Sequence, residues 1–496
     1  MRILCGLEYG ELNRLWRHSG TCLLVLLTVV AAILRISLLG SKSLWLDEGL
    51  TAQIVTLPLR QLAQKVVYVQ MNMYLYYLVL HGWILLAGTS EFMLRVPSAV
   101  LAAATVPLVA ALGAQLGDRN SGRLGALFLT VNASSIQYAQ TARAYALLMM
   151  LVTLSAVFFV RSTTRSSLAN YTGYVVSGTC STYAHLFGIL VLPSQWLSLW
   201  LFRPSRKAAV RVSLSMAIIG LLSLPAVVLA ILLDRGQADW VAATSGKGVM
   251  ALVYVLAGVF DGQPGRTATT LAALYCVCIA LPIVRKSPEN RPAFAYLLLS
   301  ICVPICMTIV VSTSKPLFVT RYLLIVLPFF VLAAAVGITR IRSRTLAIAI
   351  VLAMTALNLA QDYFYYRAEP LQDWCGAVNF VAGHAKPGDA LVIYPNYNLA
   401  PLEYYVNRLG HPAEFPSISY EAHAARPREP GVREQPESLT TFLATGMSSR
   451  SRLWLVFASW DSGALPILQT MQLSHRIEAD PYFPGVRVVL LESTRP

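Results

Sequence analysis

Charged side chains are scarce in this chain. Asp, Glu, Lys and Arg make up 13% of its 496 residues, against roughly 25% in a soluble globular domain. A deficit that deep excludes an ordinary water-soluble fold and fits a chain whose solvent is mostly lipid. Mean hydropathy is +0.59, and apolar runs approaching the roughly 20 residues of a spanning helix recur along most of the sequence. Acids are scarcer than bases, 24 against 39. In a soluble protein such a basic balance would suggest nucleic acid. Here most Lys and Arg stand in short loops between apolar runs, as the positive-inside rule distributes them. Cysteines number eight, and their places exclude a disulfide framework: Cys22, Cys180, Cys276, Cys278, Cys302 and Cys306 lie in apolar stretches, Cys5 in a basic N-terminal arm, and Cys375 alone near the C-terminus. Cys302 and Cys306 share a helix face, but no His or acid stands beside them to complete a metal site. A glycine-rich phosphate loop and a nucleophile signature are both missing from the one region that reads as soluble.

What is present is a series of spans. The first apolar run, 21–39, is too long for a signal peptide, contains Arg35 and has no small-residue cleavage site after it, so it reads as retained. The N-terminal arm holds Arg2, Arg14 and Arg17, which places it in the cytoplasm. The piece 74–88, "YLYYLVLHGWILLAG", decides the rest of the topology. If it crossed, every later basic loop (Arg119 and Arg123, Arg161 and Arg165, the cluster from Arg203 to Arg211, Arg285 to Arg291, and Arg340 to Arg344) would face outward. At about 15 residues it is also short for a span. It is therefore expected to lie on the outer face without crossing. The spans then run 21–39, 92–116, 124–136, 145–160, 170–183, 187–202, 212–232, 267–284, 293–312, 322–338 and 345–361, about eleven in all, with the N-terminus inside and the C-terminus outside. Leu59, Leu62, Ala63 and Val66 follow helical spacing and suggest a small interfacial helix, and 251–260 suggests another.

Beyond residue 361 the composition turns mixed. "ALVIY", "LWLVFAS" and "VRVVLLES" read as strands, with helices at "DWCGAVNFVAGHAK", "LAPLEYYVNRLG" and "LPILQTMQLSH" and a polar, Pro-rich loop over 412–436. The expectation is a polytopic α-helical membrane part, 1–361, whose first outer loop covers 41–92, followed by a small α/β extracytoplasmic domain, 362–496, that caps or shapes a site.

This topology gathers polar residues on the outer face. Asp47 and Glu48 follow the first span. "QYAQTARAY" ends the third, Tyr183 and His185 follow the fifth, and "TSKPLFVTRY" precedes the tenth. Carboxylates can take a proton from an attacking hydroxyl, and Arg or Lys can hold a phosphate. That pairing suits transfer from a phosphate leaving group carried on a lipid. Consecutive helical residues diverge by roughly 100°, so one acid of the pair is expected to face the reaction. Taken singly, each residue also has a plainer reading. An acid pair at a membrane rim can simply be solvated. Arg143 and Arg321 can snorkel to headgroups, as can Arg35 near the outer end of its span. His185 can be a packing residue, and Lys42 a headgroup contact.

In order, "SLWLDEGLTA", "YLYYLVLHGW", "SEFMLRVPSAV", "QYAQTARAYALL", "STYAHLFGILVL", "RYLLIVLPFFVLAAAVGI" and "DWCGAVNFVAGHAKPGDALVIYP" resemble the GT-C glycosyltransferases, in particular the group of protein O-mannosyltransferases and the lipid A aminoarabinose transferase. The likeness covers nearly the whole chain. It implies a bacterial inner-membrane enzyme that moves a hexose or pentose from a polyprenyl-phosphate donor to a hydroxyl of an extracytoplasmic acceptor (lipid A or another glycan, a glycolipid or a protein) with inversion. It implies Asp47 as general base supported by Glu48, and Arg321 with Lys315 on the donor phosphate. Arg143, Tyr145, Tyr76, Tyr77, Tyr322 and His185 complete the expected substrate-binding set. Relatives read Tyr-Ser-Gln-Glu-Ala-Arg-Met-Tyr where this chain has Thr141 in place of the Glu, and His-Pro-Pro-Leu-Tyr-Tyr where it begins Asn72-Met73. Some relatives hold a divalent metal with an acid near position 141; none stands there here, and no cofactor or metal ligand is assigned. A non-catalytic accessory homologue, or a transporter of lipid-linked sugars, are the alternative readings.

Overall fold

The computed structural model describes residues 20–70, 72–233, 241, 243–260, 265–284, 291–410, 415–418, 451–458 and 464–494. The basic N-terminal arm, Arg285 and Lys286, and most of the Pro-rich loop lie outside the described residues. Every span expected from the sequence coincides with helix. In chain order the helices are α1 (Gly20–Ile36), α2 (Leu46–Val55), α3 (Leu59–Lys65), α4 (Tyr74–Ala87), α5 (Glu91–Gln115), α6 (Arg119–Thr130), α7 (Ala133–Ala139), α8 (Tyr145–Thr164), α9 (Leu168–Ala184), α10 (Val191–Phe202), α11 (Arg206–Leu232), α12 (Gly246–Leu256), α13 (Arg266–Val284), α14 (Arg291–Val311), α15 (Leu327–Thr339) and α16 (Arg344–Arg367). Among the described residues seven are long and apolar enough to cross a membrane on length and composition alone, counting the 3-10 turn Thr320–Val326 as the start of α15. The chain is a multi-pass helical membrane protein.

The expected third span is two helices rather than one. Asn132 stops α6 and caps α7, its side chain accepting from the Ser135 backbone N–H. Asn competes for backbone hydrogen bonds, which favours caps over helix interiors. The broken carbonyls at the end of α6 are taken by Arg35, whose guanidinium donates to Leu129 O at 2.9 Å, Thr130 O at 3.2 Å and Ser135 Oγ at 2.9 Å. Arg35 is fully buried. It does not snorkel to the interface; it holds the α6–α7 break inside the bundle, where free carbonyls would be costly.

The placement of α4 follows from its contacts. The start of α1, at Gly20, lies against the Arg123 guanidinium at the start of α6. Thr339, ending α15, donates to Asp118, and Arg211 of α11 donates to Ser166 in the loop after α8. These groups share one end of the bundle. At the other end, Gly40 after α1 packs on Phe92 at the start of α5. Both ends of α4 belong there: the Tyr74 ring meets Tyr183 at the end of α9, and Trp83 donates to Met93 O in the first turn of α5. So α4 lies along one end of the bundle and does not cross it.

The C-terminal region has α17 (Trp374–His384), β1 (Ala390–Tyr394), α18 (Leu399–Arg408), β2 (Ser417–Ile418), β3 (Arg452–Ala458), α19 (Ala464–Met471), β4 (His475–Ala479), β5 (Tyr482–Phe483) and β6 (Val486–Ser493). The last expected helix is shorter than its sequence run, since His475 opens β4. The sheet is mixed, in the order β2-β1-β3-β6-β4 with β5 on β6; β1 is parallel to β2 and β3, and β6 antiparallel to β3 and β4. Both faces are covered, which explains the unbroken apolar run of β1. Ala390, Val392 and Tyr394 face α19, whereas Leu391 and Ile393 share a core with α17, α18 and, beyond them, Ala52, Tyr76 and Tyr77 of α2 and α4. This continuous core docks the sheet on the membrane bundle.

Candidate active site

The residues "LWLDEGL" open α2. The segment before it is held from several sides. Leu44 N–H donates to the Tyr405 hydroxyl, Leu46 N–H to Gln372, and Cys375 N–H to Ser43, each bond reaching into the C-terminal region. Gly49 meets Pro401 of α18 so closely that an added Cβ would stand 2.7 Å from Pro401 atoms; the glycine after the acid pair is there because two helices touch. Asp47 and Glu48 both lie in the first turn of α2, where a helix dipole favours acids.

The two acids then part. Glu48 is buried and receives a bidentate fork from Arg95 of α5, at 2.8 and 2.6 Å. Its Oε1 also accepts the Ala142 N–H at 2.7 Å. Arg95 in turn donates to Leu39 O, Lys42 O and Ser43 O. The Glu48–Arg95 pair therefore ties three segments together: the chain after α1, α2, and the turn that bears Arg143. Glu48 does not open on any chamber. Lys42 is not a headgroup contact either. Its Nζ donates to Tyr365 O at 2.7 Å and lies over the Tyr365 ring; burial and the nearby Arg95 charge push its ammonium down to about 8.

Asp47 stays 17% exposed on its side chain and faces two guanidiniums. Arg321, in the 3-10 turn, is 3.5 Å from Oδ2, and Arg143, in the turn between α7 and α8, is 3.9 Å away. Neither contact is a hydrogen bond: Asp47 Oδ2 and Arg143 Nε are both buried without a hydrogen-bond partner. The carboxylate thus stands beside both cations without a hydrogen bond to either. Arg143 is steadied by donating to the Tyr77 hydroxyl at 3.2 Å and Thr51 Oγ1 at 3.5 Å. Arg321 is sandwiched by the Trp45 and Tyr322 rings, 5.6 and 5.8 Å from their centroids.

Aromatic rings continue the cluster. Tyr322 stacks on Tyr145 and lies 4.7 Å, centroid to centroid, from His185. His185 caps the end of α9 and is buried. Its Nδ1 accepts from Phe187 N–H at 3.2 Å, which leaves the ring proton on Nε2. Burial, with Arg143 and Arg321 close by, lowers its pKa to about 3. Its Nε2–H and the Tyr145 hydroxyl are buried without partners. Tyr77 joins the cluster through Arg143, whereas Tyr76 is one layer behind, bonded to Ser98, which in turn donates to Arg143 O. Lys315 is half-buried on the loop leading to Arg321. Thr141 turns its hydroxyl back to Gln137 O.

The structure therefore brings Asp47, Arg143, Arg321, Tyr145, Tyr322 and His185 into one contact cluster, and sets Glu48 and Tyr76 behind it. Among the described residues no three His, Cys, Asp or Glu side chains gather; Asp47 stands within 4 Å of both Arg143 and Arg321. Arg95, Gln372, Trp45 and Gln140 went unnoticed in the sequence. Gln140 donates to Leu34 O, Arg35 O and Ser37 O and accepts from Tyr365. Their roles lie in contacts with distant segments, and no local pattern marks them.

No family model and no curated protein matches this chain. Solved structures do. ArnT from Cupriavidus metallidurans bound to undecaprenyl phosphate superposes with a TM-score of 0.61 at 13% identity, covering 94% of this chain and 97% of that one. The oligosaccharyltransferase AglB of Archaeoglobus fulgidus, in complex with an inhibitory peptide and a dolichol-phosphate, gives 0.55 at 12% identity, covering 93% of this chain and 73% of that one. The mycobacterial arabinofuranosyltransferase AftD gives 0.50 at 14% identity, covering 94% of this chain and 41% of its own. Identities this low speak for architecture alone. That architecture is shared over more than nine-tenths of this chain, in keeping with the resemblance to the GT-C proteins seen in the sequence.

Proposed function

We propose that this chain is a membrane glycosyltransferase that takes a sugar from a polyprenyl-phosphate carrier and transfers it to a hydroxyl of an extracytoplasmic acceptor. The observation that carries this reading is Asp47, poised between Arg143 and Arg321, three residues brought from distant segments to one end of the bundle. The fold neighbours bound to undecaprenyl phosphate and to a dolichol-phosphate support the donor class.

In this scheme the acceptor hydroxyl attacks the anomeric carbon from the face opposite the phosphate. The new C–O bond forms as the bond from the anomeric carbon to the phosphate oxygen breaks, so the configuration inverts. The hydroxyl proton passes to Asp47, and the electron pair leaves on the phosphate, whose added charge meets Arg321 and Arg143. Tyr145, Tyr322 and Trp45 supply faces against which a sugar or an isoprenoid can pack. In the cell we place the enzyme in a bacterial inner membrane with Asp47 on the outer side. The residues 362–496 act as an outer domain that buttresses α2. Lipid A, another glycan, a glycolipid and a protein are all chemically suitable acceptors.

The test is Asp47→Asn in purified protein supplied with polyprenyl-phosphate sugar and envelope acceptors. A general base contributes roughly 10²–10⁴-fold. Turnover should fall by that order while donor affinity stays within a few-fold of the parent. Turnover at the parental rate would remove Asp47 from the chemistry.

A further inference from the structure

We propose that His185, through its Nε2–H, joins the Tyr145 hydroxyl and the Arg143 Nε–H in a three-donor site for the phosphate of the lipid carrier. The inference rests on the donor class proposed above and names the atoms that receive its phosphate. All three side chains are more than nine-tenths buried. All three atoms are without a hydrogen-bond partner. Buried polar groups are nearly always paired, and leaving one unpaired is costly. Three such groups in one cluster point to an occupant.

Local structure fixes each donor. Gly188 packs so tightly on Ser181 that an added Cβ would stand 2.5 Å from its backbone, which folds the turn after α9 back on the helix. In that turn His185 Nδ1 accepts the Phe187 N–H, so the ring proton sits on Nε2. Burial and the cations Arg143 and Arg321 hold the ring neutral. In the turn between α7 and α8, Glu48 accepts the Ala142 N–H. Arg143 donates to the Tyr77 and Thr51 hydroxyls through one terminal nitrogen, which leaves its Nε aside. The Tyr145 ring is held by Tyr138 and Tyr322, at 5.3 and 6.3 Å between centroids.

The imidazole lies 6.4 Å from the Tyr145 ring, centroid to centroid, and the Arg143 charge bears on both residues. Tyr322 and Phe187, packed on the imidazole at 4.7 and 5.4 Å, are half-exposed, so the imidazole lies a single ring below the surface. The chemistry of the occupant follows from the atoms. A guanidinium N–H and this imidazole N–H only donate, and the hydroxyl can donate as well. Phosphate oxygens are acceptors throughout and carry charge, so one phosphate can take all three donors at once. A single sugar hydroxyl, with two lone pairs, cannot.

The test measures binding of undecaprenyl phosphate and of undecaprenol to the purified full chain in detergent, by native mass spectrometry and thermal unfolding. The wild type should hold the phosphate in preference to the alcohol. Tyr145→Phe removes one oxygen and keeps the ring. It should weaken undecaprenyl phosphate roughly 10–100-fold, as loss of a hydrogen bond to a charged group does, and leave undecaprenol unchanged. His185→Phe should do the same, and His185→Gln, which keeps an N–H donor, should recover part of the loss. Tyr145→Phe decides the matter alone if the His185 variants do not accumulate. A wild type that prefers the phosphate, with Tyr145→Phe and His185→Phe binding it as tightly, overturns this site and leaves the donor class standing. Equal losses of phosphate and alcohol would assign the two residues to packing and overturn the site as well. A wild type with no preference overturns the donor class and this site with it.

Discussion

Asp47 and Glu48 are neighbours in the chain and differ in what surrounds them. Glu48 meets a buried guanidinium and a backbone N–H; Asp47 meets two cations at 3.5 and 3.9 Å without a hydrogen bond to either. Removing one partner of a buried pair leaves the other charge uncompensated, at a cost of about 3–5 kcal/mol. Glu48→Gln should therefore lower the unfolding temperature far more than Asp47→Asn, and should also weaken transfer by loosening the Arg143 turn. Equal stability of the two variants, measured by thermal unfolding in detergent, would show that the Glu48–Arg95 pair does not hold the fold. His185 carries a second prediction. Its pKa is lowered from 6.5 to about 3 by burial and by two flanking cations. The unfolded chain then takes up a proton at this residue below about pH 6.5 while the folded chain stays neutral, so stability falls as pH drops through that window and is level above it. At pH 5 the loss from this one residue is about 2 kcal/mol. His185→Gln should flatten that part of the unfolding-temperature profile between pH 7.5 and pH 5; an unchanged slope would assign the acid sensitivity elsewhere.

At the scale of elements, the turns rather than the long helices position the chemistry. Arg143 sits in the break between α7 and α8, Arg321 in a 3-10 turn, and His185 at the end of α9. Each break places backbone groups and side chains at the bundle's rim, where irregular backbone is tolerated because it lines a cavity or is buried in protein. Helix α4 is the element on which orientation depends. With both its ends at one end of the bundle, the segments before and after it share a side. In a background lacking the native cysteines, Thr56→Cys and Thr89→Cys should both react with an impermeant maleimide from the same side of sealed vesicles. Arg165→Cys should react only from the other. Labelling of Thr56→Cys and Thr89→Cys from opposite sides would mean that α4 crosses.

At the scale of the molecule, the C-terminal sheet and the bundle share one apolar core through α17, α18, α2 and α4. The polar contacts from Tyr405, Gln372 and Cys375 reach the segment just before Asp47. A C-terminal region docked in this way restricts how α2 can move, which is what a carboxylate held at 3.5–3.9 Å from two cations requires.

The sequence by itself determined the membrane-spanning architecture, the order of the helices, the place of α4 and the main strands of the C-terminal sheet. These depend on hydropathy, loop charge and period, quantities that are additive along the chain and need no knowledge of distant partners. Only the tertiary structure decided which of two adjacent acids stands beside Arg143 and Arg321. It also decided that Arg35 and Lys42 turn inward, that the third span breaks at Asn132, and that Gly49 is needed against Pro401. Each of those outcomes is set by a contact between segments far apart in sequence. Burial and hydrogen bonding at such a contact outweigh the local preference of the residue, and no stretch of the chain taken alone contains both partners.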